Sequence, residues 1–247
     1  MNKPIRHLAS ILVVAIAVFA LVVGGYVLYL SVTYSRIPDG ESIDVLGNVD
    51  GTTIATNKEY TALTYNIGFG AYTPDYLFFM DEGIMKDGTK TVGKHSIASS
   101  KESVQSCTNG AIDVIALADP DFALLQEVDV DSTRSYGVNQ KEAIRSAFSD
   151  MGAAFASNFH TAFLAYPITE PHGIVNAGLL SLTGTHVDSE VATCRGADIP
   201  FTQGVNYQVT IDGFIVSNNV KARAANIETN YAYSDHNPVE LTFTLAK

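Results

Sequence analysis

Cysteine is scarce. Two cysteines in 247 residues exclude a Cys₄ zinc site and a disulfide-dense scaffold. Positive charge is scarce as well, with 15 Lys and Arg against 26 Asp and Glu and a net charge of −11. That balance, and the lack of any Lys/Arg cluster, argue against a broad nucleic-acid-binding surface. A small phosphate-bearing ligand held through a metal ion stays compatible with it. No internal repeat and no low-complexity tract is visible. Charged residues make up only 17% against 47% hydrophobic ones, which rules out a disordered chain.

Part of the apolar content is concentrated near the N-terminus. No charged side chain occurs from 8 to 35, and the densest stretch is ILVVAIAVFALVVGGYVLYL at 11–30. A helix of that length rises about 1.5 Å per residue and spans about 30 Å, the thickness of a bilayer core. Lys3 and Arg6 precede it and Arg36 alone follows closely. The positive-inside rule then places 1–10 in the cytoplasm, a transmembrane anchor at 11–34, and everything beyond outside the cytoplasm. Tyr26, Tyr29 and Tyr34 suit an outer interfacial belt. A cleaved signal peptide is the competing reading. Signal cores usually run about 7–15 residues, and the small-x-small triplet Ala15-Ile16-Ala17 lies inside the apolar run instead of after it. A retained anchor is therefore expected. In an oxidising compartment Cys107 and Cys194 could pair, or serve as two separate small apolar residues.

Residues 35–60 are rich in Gly, Asp, Asn, Ser and Thr and read as a linker. TALTYNI at 61–67 is a β-rich run that ends at Gly68-Phe69-Gly70. Ser100 is a plausible helix cap, and Val104, Cys107, Ala111, Ile112, Ile115 and Ala118 recur at helical spacing until Asp119-Pro120. FALLQ at 122–126 reads as a buried strand, so a parallel βαβ unit is expected. A second helix is expected over 138–151, and further strands over 155–165, 177–182, 207–217 and 239–245. The last alternates Val239, Leu241, Phe243 and Leu245 with polar residues. The fold class is α/β with mixed sheets.

Polar residues cluster at the expected strand ends, where α/β enzymes keep their chemistry. These are Asn66, Gln126, Glu127, and the run Ser234-Asp235-His236-Asn237-Pro238; Asp212 interrupts an apolar strand. Singly, Asn66 reads as a turn residue, Glu127 as a solvated carboxylate and 234–238 as a plain turn. Asp212 is harder to dismiss, because a carboxylate among apolar neighbours needs a partner.

Together, TYNIGFG (64–70), PDFALLQEVD (120–129), NAGLLSL (176–182), IDGFIVS (211–217) and SDHNPV (234–239) resemble the endonuclease/exonuclease/phosphatase superfamily, the DNase I-like fold. The resemblance runs in order from about residue 61 to 247. It implies a two-sheet α/β sandwich that hydrolyses phosphate esters with Mg²⁺ or a similar ion (Mn²⁺ or Ca²⁺). By position, Glu127 would be a principal metal ligand, with Asp235 at the metal or just behind it. Asn66 would help place metal and phosphate. His236 would act on the phosphate as acid/base or charge stabiliser. Asp212 would hydrogen-bond it, fixing the ring and favouring its protonated form. Arg134 is a weaker candidate for a phosphate contact, equally readable as a surface arginine. Members of the superfamily act on nucleic acids, inositol phosphates, sphingomyelin and small phosphoesters.

The resemblance is incomplete. Members carry a long block between the strands equivalent to 176–182 and 211–217, with a catalytic histidine and a Gly-Asp-x-Asn motif. Here only 183–210 intervene, and Gly-Asp-x-Asn occurs nowhere. His186 belongs to the lead-in of the missing block, and the splice falls near 188–193. A general base is worth about 10²–10⁴ in rate, and an oxyanion donor about 10²–10³. Loss of the set is therefore expected to remove most activity. Loss of its strands leaves the second sheet incomplete, with open edges and exposed apolar faces. Two readings follow: a membrane-anchored phosphoesterase of reduced or no activity, or an inactive, truncated relative that binds a ligand or partner or is a non-functional remnant.

Overall fold

The computed structural model describes residues 3–47, 54–84, 88–184, 194–195, 200–206, 208–209, 211–214, 216 and 220–245. His186 and the splice expected near 188–193 lie outside the described residues. Helix α1 (Lys3–Thr33) comes first. Its Pro4–Thr33 stretch has a mean hydropathy of 2.9, no buried side and the length to cross a membrane. Protein contacts reach only its C-terminal part, where Tyr26 hydrogen-bonds the Phe163 carbonyl and the Ala165 N–H, and the apolar side chains from 11 to 23 are exposed.

The chain then forms β1 (Val45–Leu46), β2 (Glu59–Asn66), β3 (Glu82–Ile84), β4 (Lys90–Val92), α2 (Lys101–Ala118), β5 (Asp121–Asp129), α3 (Gln140–Ala147), β6 (Ala153–Leu164), β7 (Gly173–Gly184), β8 (Cys194–Arg195), β9 (Gln208–Val209), β10 (Val220–Asn226) and β11 (Val239–Leu245). The class is mixed α/β. Among the described residues there is one seven-stranded sheet, ordered β1-β6-β7-β5-β2-β11-β10, with the ribbons β3-β4 and β8-β9 beside it. β2 and β5 pair in parallel through α2, and every other neighbour pair in the large sheet is antiparallel.

The βαβ unit forms for the reasons its sequence suggests. Ser100 accepts the Ser103 N–H at 3.0 Å and caps α2. Asp119 ends the helix in the left-handed region at φ 49°. Val104, Cys107, Ala111 and Ile115 make its buried stripe. Cys107 is a free thiol, and burial pushes its pKa up to about 11.

Three segments depart from expectation. The span 35–60 is stitched to the sheet: Ser35 and His160 exchange backbone hydrogen bonds at 3.0 and 2.8 Å, Ile37 donates to Ser157 at 2.8 Å, and β1 pairs with β6. The open edge of β6 supplies the unpaired groups that recruit it. The second helix is shorter than 138–151, because Asn139 caps it by accepting the Glu142 N–H at 3.0 Å and it stops at Ala147. Of the strand expected over 207–217, the described residues show β9, and Ile211–Phe214 run irregularly. The edge position beside β11 belongs instead to β10.

The main core lies on one face of the sheet. Leu63, Tyr65 and Ile67, Ala123, Leu125 and Val128, and Leu180 and Leu182 meet Ala111 and Ile115 of α2 and Ile144 of α3. The other face holds a small cluster of Ala62, Ala225 and Leu241 with Phe122, Phe214 and Phe243, while Leu124 and Leu179 stay substantially exposed. Because side chains alternate along a strand, Leu124 and Leu125 report the two faces directly. Leu125→Ala should lower stability by about 2–5 kcal/mol. Leu124→Ala should have little effect, and thermal unfolding of the detergent-solubilised chain would show the contrast.

Candidate functional site

The C-terminal ends of β2 and β5 and the approach to β11 meet at one end of the sheet. Asn66, the last residue of β2, donates from Nδ2 to Glu127 Oε1 at 3.0 Å and accepts the Gly68 N–H on Oδ1 at 2.9 Å. Gly68 has φ +54°, and a Cβ there would sit 2.5 Å from Tyr72 Cδ2, so glycine is required. Glu127 lies at a register break between Leu125 and Val128, at φ 53°. A left-handed glutamate in a bulge is strained backbone that turns its carboxylate toward Asn66.

The turn before β11 completes the cluster. Ser234 is fully buried; its hydroxyl donates to the Asn66 carbonyl at 2.7 Å and accepts the His236 N–H at 3.1 Å. Asp235 Oδ1 lies 3.3 Å from the same hydroxyl. His236 Nδ1 meets Asp212 Oδ2 at 2.7 Å, with both side chains mostly buried. The carboxylate accepts, so Nδ1 carries the proton and Nε2 is the atom able to exchange one with a substrate oxygen. Asp212 reaches this position from the irregular 211–214 segment, not from a strand interior.

Tyr72 lies beneath the site. Burial, followed by the charges of Asp235 and Glu127, holds its phenol well above the ordinary tyrosine value. Among the described residues no three His, Cys, Asp or Glu side chains are grouped to enclose a cation. Mg²⁺ in general keeps several waters and takes about one or two carboxylates, whereas Ca²⁺ takes about 6–8 oxygens.

Arg134 is not placed as a surface arginine. Nε and Nη2 donate to Asp129 Oδ2 and Oδ1 at 3.0 and 2.8 Å, and the guanidinium lies 4.0 Å over the Phe69 ring. Ser135 Oγ donates to Asp129 at 2.8 Å, and the Asp129 N–H donates to Gln140 Oε1 at 2.9 Å. Burial opposes the Arg134 charge, but Asp129 and then Glu127 outweigh it and hold the guanidinium above its ordinary value. Arg134 thus braces the floor behind Glu127.

The sequence reading did not pick out Ser234, the Asp129 network, or a neighbouring cavity of about 270 Å³ lined by Thr73, Asp75, Tyr76, His95, Tyr136 and Glu170. The run Tyr-Thr-Pro-Asp-Tyr at 72–76 was the available signal for the cavity wall. No protein-family model, no curated protein and no solved structure matches the chain.

Arg134→Ala leaves a fully buried carboxylate without its cation, and should destabilise the fold by about 3–5 kcal/mol. Denaturant titration checks it, and a change below about 1 kcal/mol would place Arg134 among exposed ion pairs. His172 supplies a pH test. Its Nδ1–H donates to the Ser96 carbonyl at 2.6 Å, and burial, then Arg134, lowers its pKa to about 4. The native state therefore favours neutral His172. Its contribution is fully present above about pH 6.5, the unfolded value, and is lost as pH falls toward 4. His172→Gln should flatten the fall in melting temperature across that window.

Proposed function

We propose that this chain is a membrane-anchored, extracytoplasmic relative of the endonuclease/exonuclease/phosphatase superfamily that engages a phosphate ester through Mg²⁺ and hydrolyses it slowly. The observation that carries this reading is the convergence of Asp212–His236 and Asn66–Glu127 on the single hydroxyl of Ser234. Glu127, with Asp235, would hold the ion, and Asn66 would orient Glu127. The ion's chemistry when bound is to polarise a phosphoryl oxygen and offset developing charge. His236 protonates the leaving oxygen or takes a proton from the nucleophile, with Asp212 holding the ring. The cavity edged by Tyr76, His95 and Glu170 is where the rest of the ester would lie. Substrate class is a lipid head group or another small phosphoester in preference to long DNA, because the chain is acidic.

A second reading, an inactive relative that binds without turnover, is favoured by one specific observation: the absence of Gly-Asp-x-Asn from the sequence.

Under the first reading, the full chain in detergent hydrolyses a generic phosphodiester or phosphomonoester with Mg²⁺ and stops when a chelator is added. Glu127→Ala and His236→Ala should each lower the rate about 10²–10⁴-fold. Activity that survives both substitutions would remove these residues from the site. Saturable Mg²⁺ binding by calorimetry with no turnover would favour the second reading.

A further inference from the structure

We infer that the tip of the β6–β7 hairpin is seated in the outer leaflet beside α1, so that the sheet end carrying the candidate site faces the bilayer. This rests on the reading of α1 as a membrane span. The hairpin and helix are joined at a defined depth. Tyr26, within the apolar stretch of α1, donates its hydroxyl to the Phe163 carbonyl at 3.0 Å and accepts the Ala165 N–H at 2.7 Å. Tyr26 lies seven residues before Thr33, or about 10 Å down the axis from the helix end. The hairpin backbone is therefore level with a tyrosine of the interfacial belt, not above the membrane. Further out, Tyr34 packs on Phe159 with ring centroids 5.9 Å apart, and Ser35 bridges to His160. The whole length of this contact runs along β6.

At that depth the hairpin presents side chains suited to lipid. Phe163 is 44% exposed, Tyr166 69%, Ile168 86% and Ile174 43%. No Lys or Arg occurs between 163 and 174. The acid and the histidine of that stretch turn inward. Glu170 accepts the Ser96 N–H at 2.5 Å, and His172 Nδ1 donates to the Ser96 carbonyl at 2.6 Å. Tyr166 also leans on Phe79, ring centroids 5.7 Å apart. The tip is thus braced from behind, with its apolar side chains outward. In an acidic chain, attachment to a membrane surface has to come from such apolar contacts, since anionic head groups repel the protein.

Register fixes what this does to the site. β5 runs antiparallel to β7, with Val128 opposite Gly178, and the tip begins at Gly173. Glu127, just before Val128, is therefore about 17–20 Å from the tip along the strands, at roughly 3.3 Å per residue. The other end of β7, where Gly184 pairs with Asp121, points away.

The chain contains no tryptophan, so single-tryptophan variants of the full chain report their own surroundings. The probe is a phosphatidylcholine vesicle, with and without bromine on the acyl chains. Ile168→Trp and Tyr166→Trp should show blue-shifted emission and lose most of it to lipid brominated near the head group. Leu117→Trp, on the exposed C-terminal end of α2 at the end of the strands away from the tip, should keep water-like, unquenched emission. Phe19→Trp reports the anchor itself and should be quenched by deeply brominated lipid. Quenched Phe19→Trp with water-like, unquenched Ile168→Trp and Tyr166→Trp would overturn the hairpin inference and leave the anchor standing. Unquenched Phe19→Trp would overturn both. Shielding of Ile168→Trp that rises with protein concentration in detergent, without quenching by brominated lipid, would make the tip a contact between copies and overturn the inference.

Discussion

One buried hydroxyl holds the candidate site together. Ser234 Oγ touches the end of β2 through the Asn66 carbonyl, the His236 backbone and the Asp235 carboxylate. Asn66 in turn fixes Glu127, and His236 fixes Asp212. Five side chains from four places in the sequence are thereby referred to one atom. A buried hydroxyl that both donates and accepts has no spare geometry, so a shift at either strand end is transmitted to the other. The strained backbone at Glu127 and the crowded turn at Gly68 are tolerable because this lattice holds them.

The sheet on which the site is built is unequal in its two faces. α2 and α3 cover one with a continuous core. Among the described residues the other carries a small aromatic and aliphatic cluster, with Leu124 and Leu179 substantially exposed. The described residues thus present an apolar surface in addition to the hairpin tip.

What was legible in the sequence was what local chemistry decides. TALTYNI, FALLQ and the alternation from Val239 to Leu245 each became a strand, and Ser100 did cap α2. The failures came where pairing decides. Residues 207–217 have the better β composition, yet the edge beside β11 was taken by Val220–Asn226, an alanine-rich segment with little strand propensity of its own. Strand formation rewards a fit to a neighbour more than an intrinsic preference. Asp212 was singled out because a carboxylate there needs a partner, and it has His236. Arg134 was open between a phosphate contact and a surface arginine, and nothing in Asp-Ser-Thr-Arg-Ser announces its burial against Asp129. Ser234 went unnoticed as an individual residue, since its role exists only once β2 and β11 lie side by side.

That adjacency has a consequence for how the chain is made. β2 sits between β5 and β11, so the first long strand to be synthesised waits for the last one. β2 can take up β5 early, across the β3-β4 ribbon and α2. Its other edge stays unsatisfied while the remainder is produced, and a row of open amides and carbonyls invites pairing with another nascent chain. The long-range closure is slow for the same reason that it is definitive: most of the loop entropy is spent before the first β2–β11 bond forms. Quality control of this protein is therefore a matter of timing. Until Val239 reaches Thr64, the chain has an apolar helix, a core and half a candidate site, with one edge still searching for its partner.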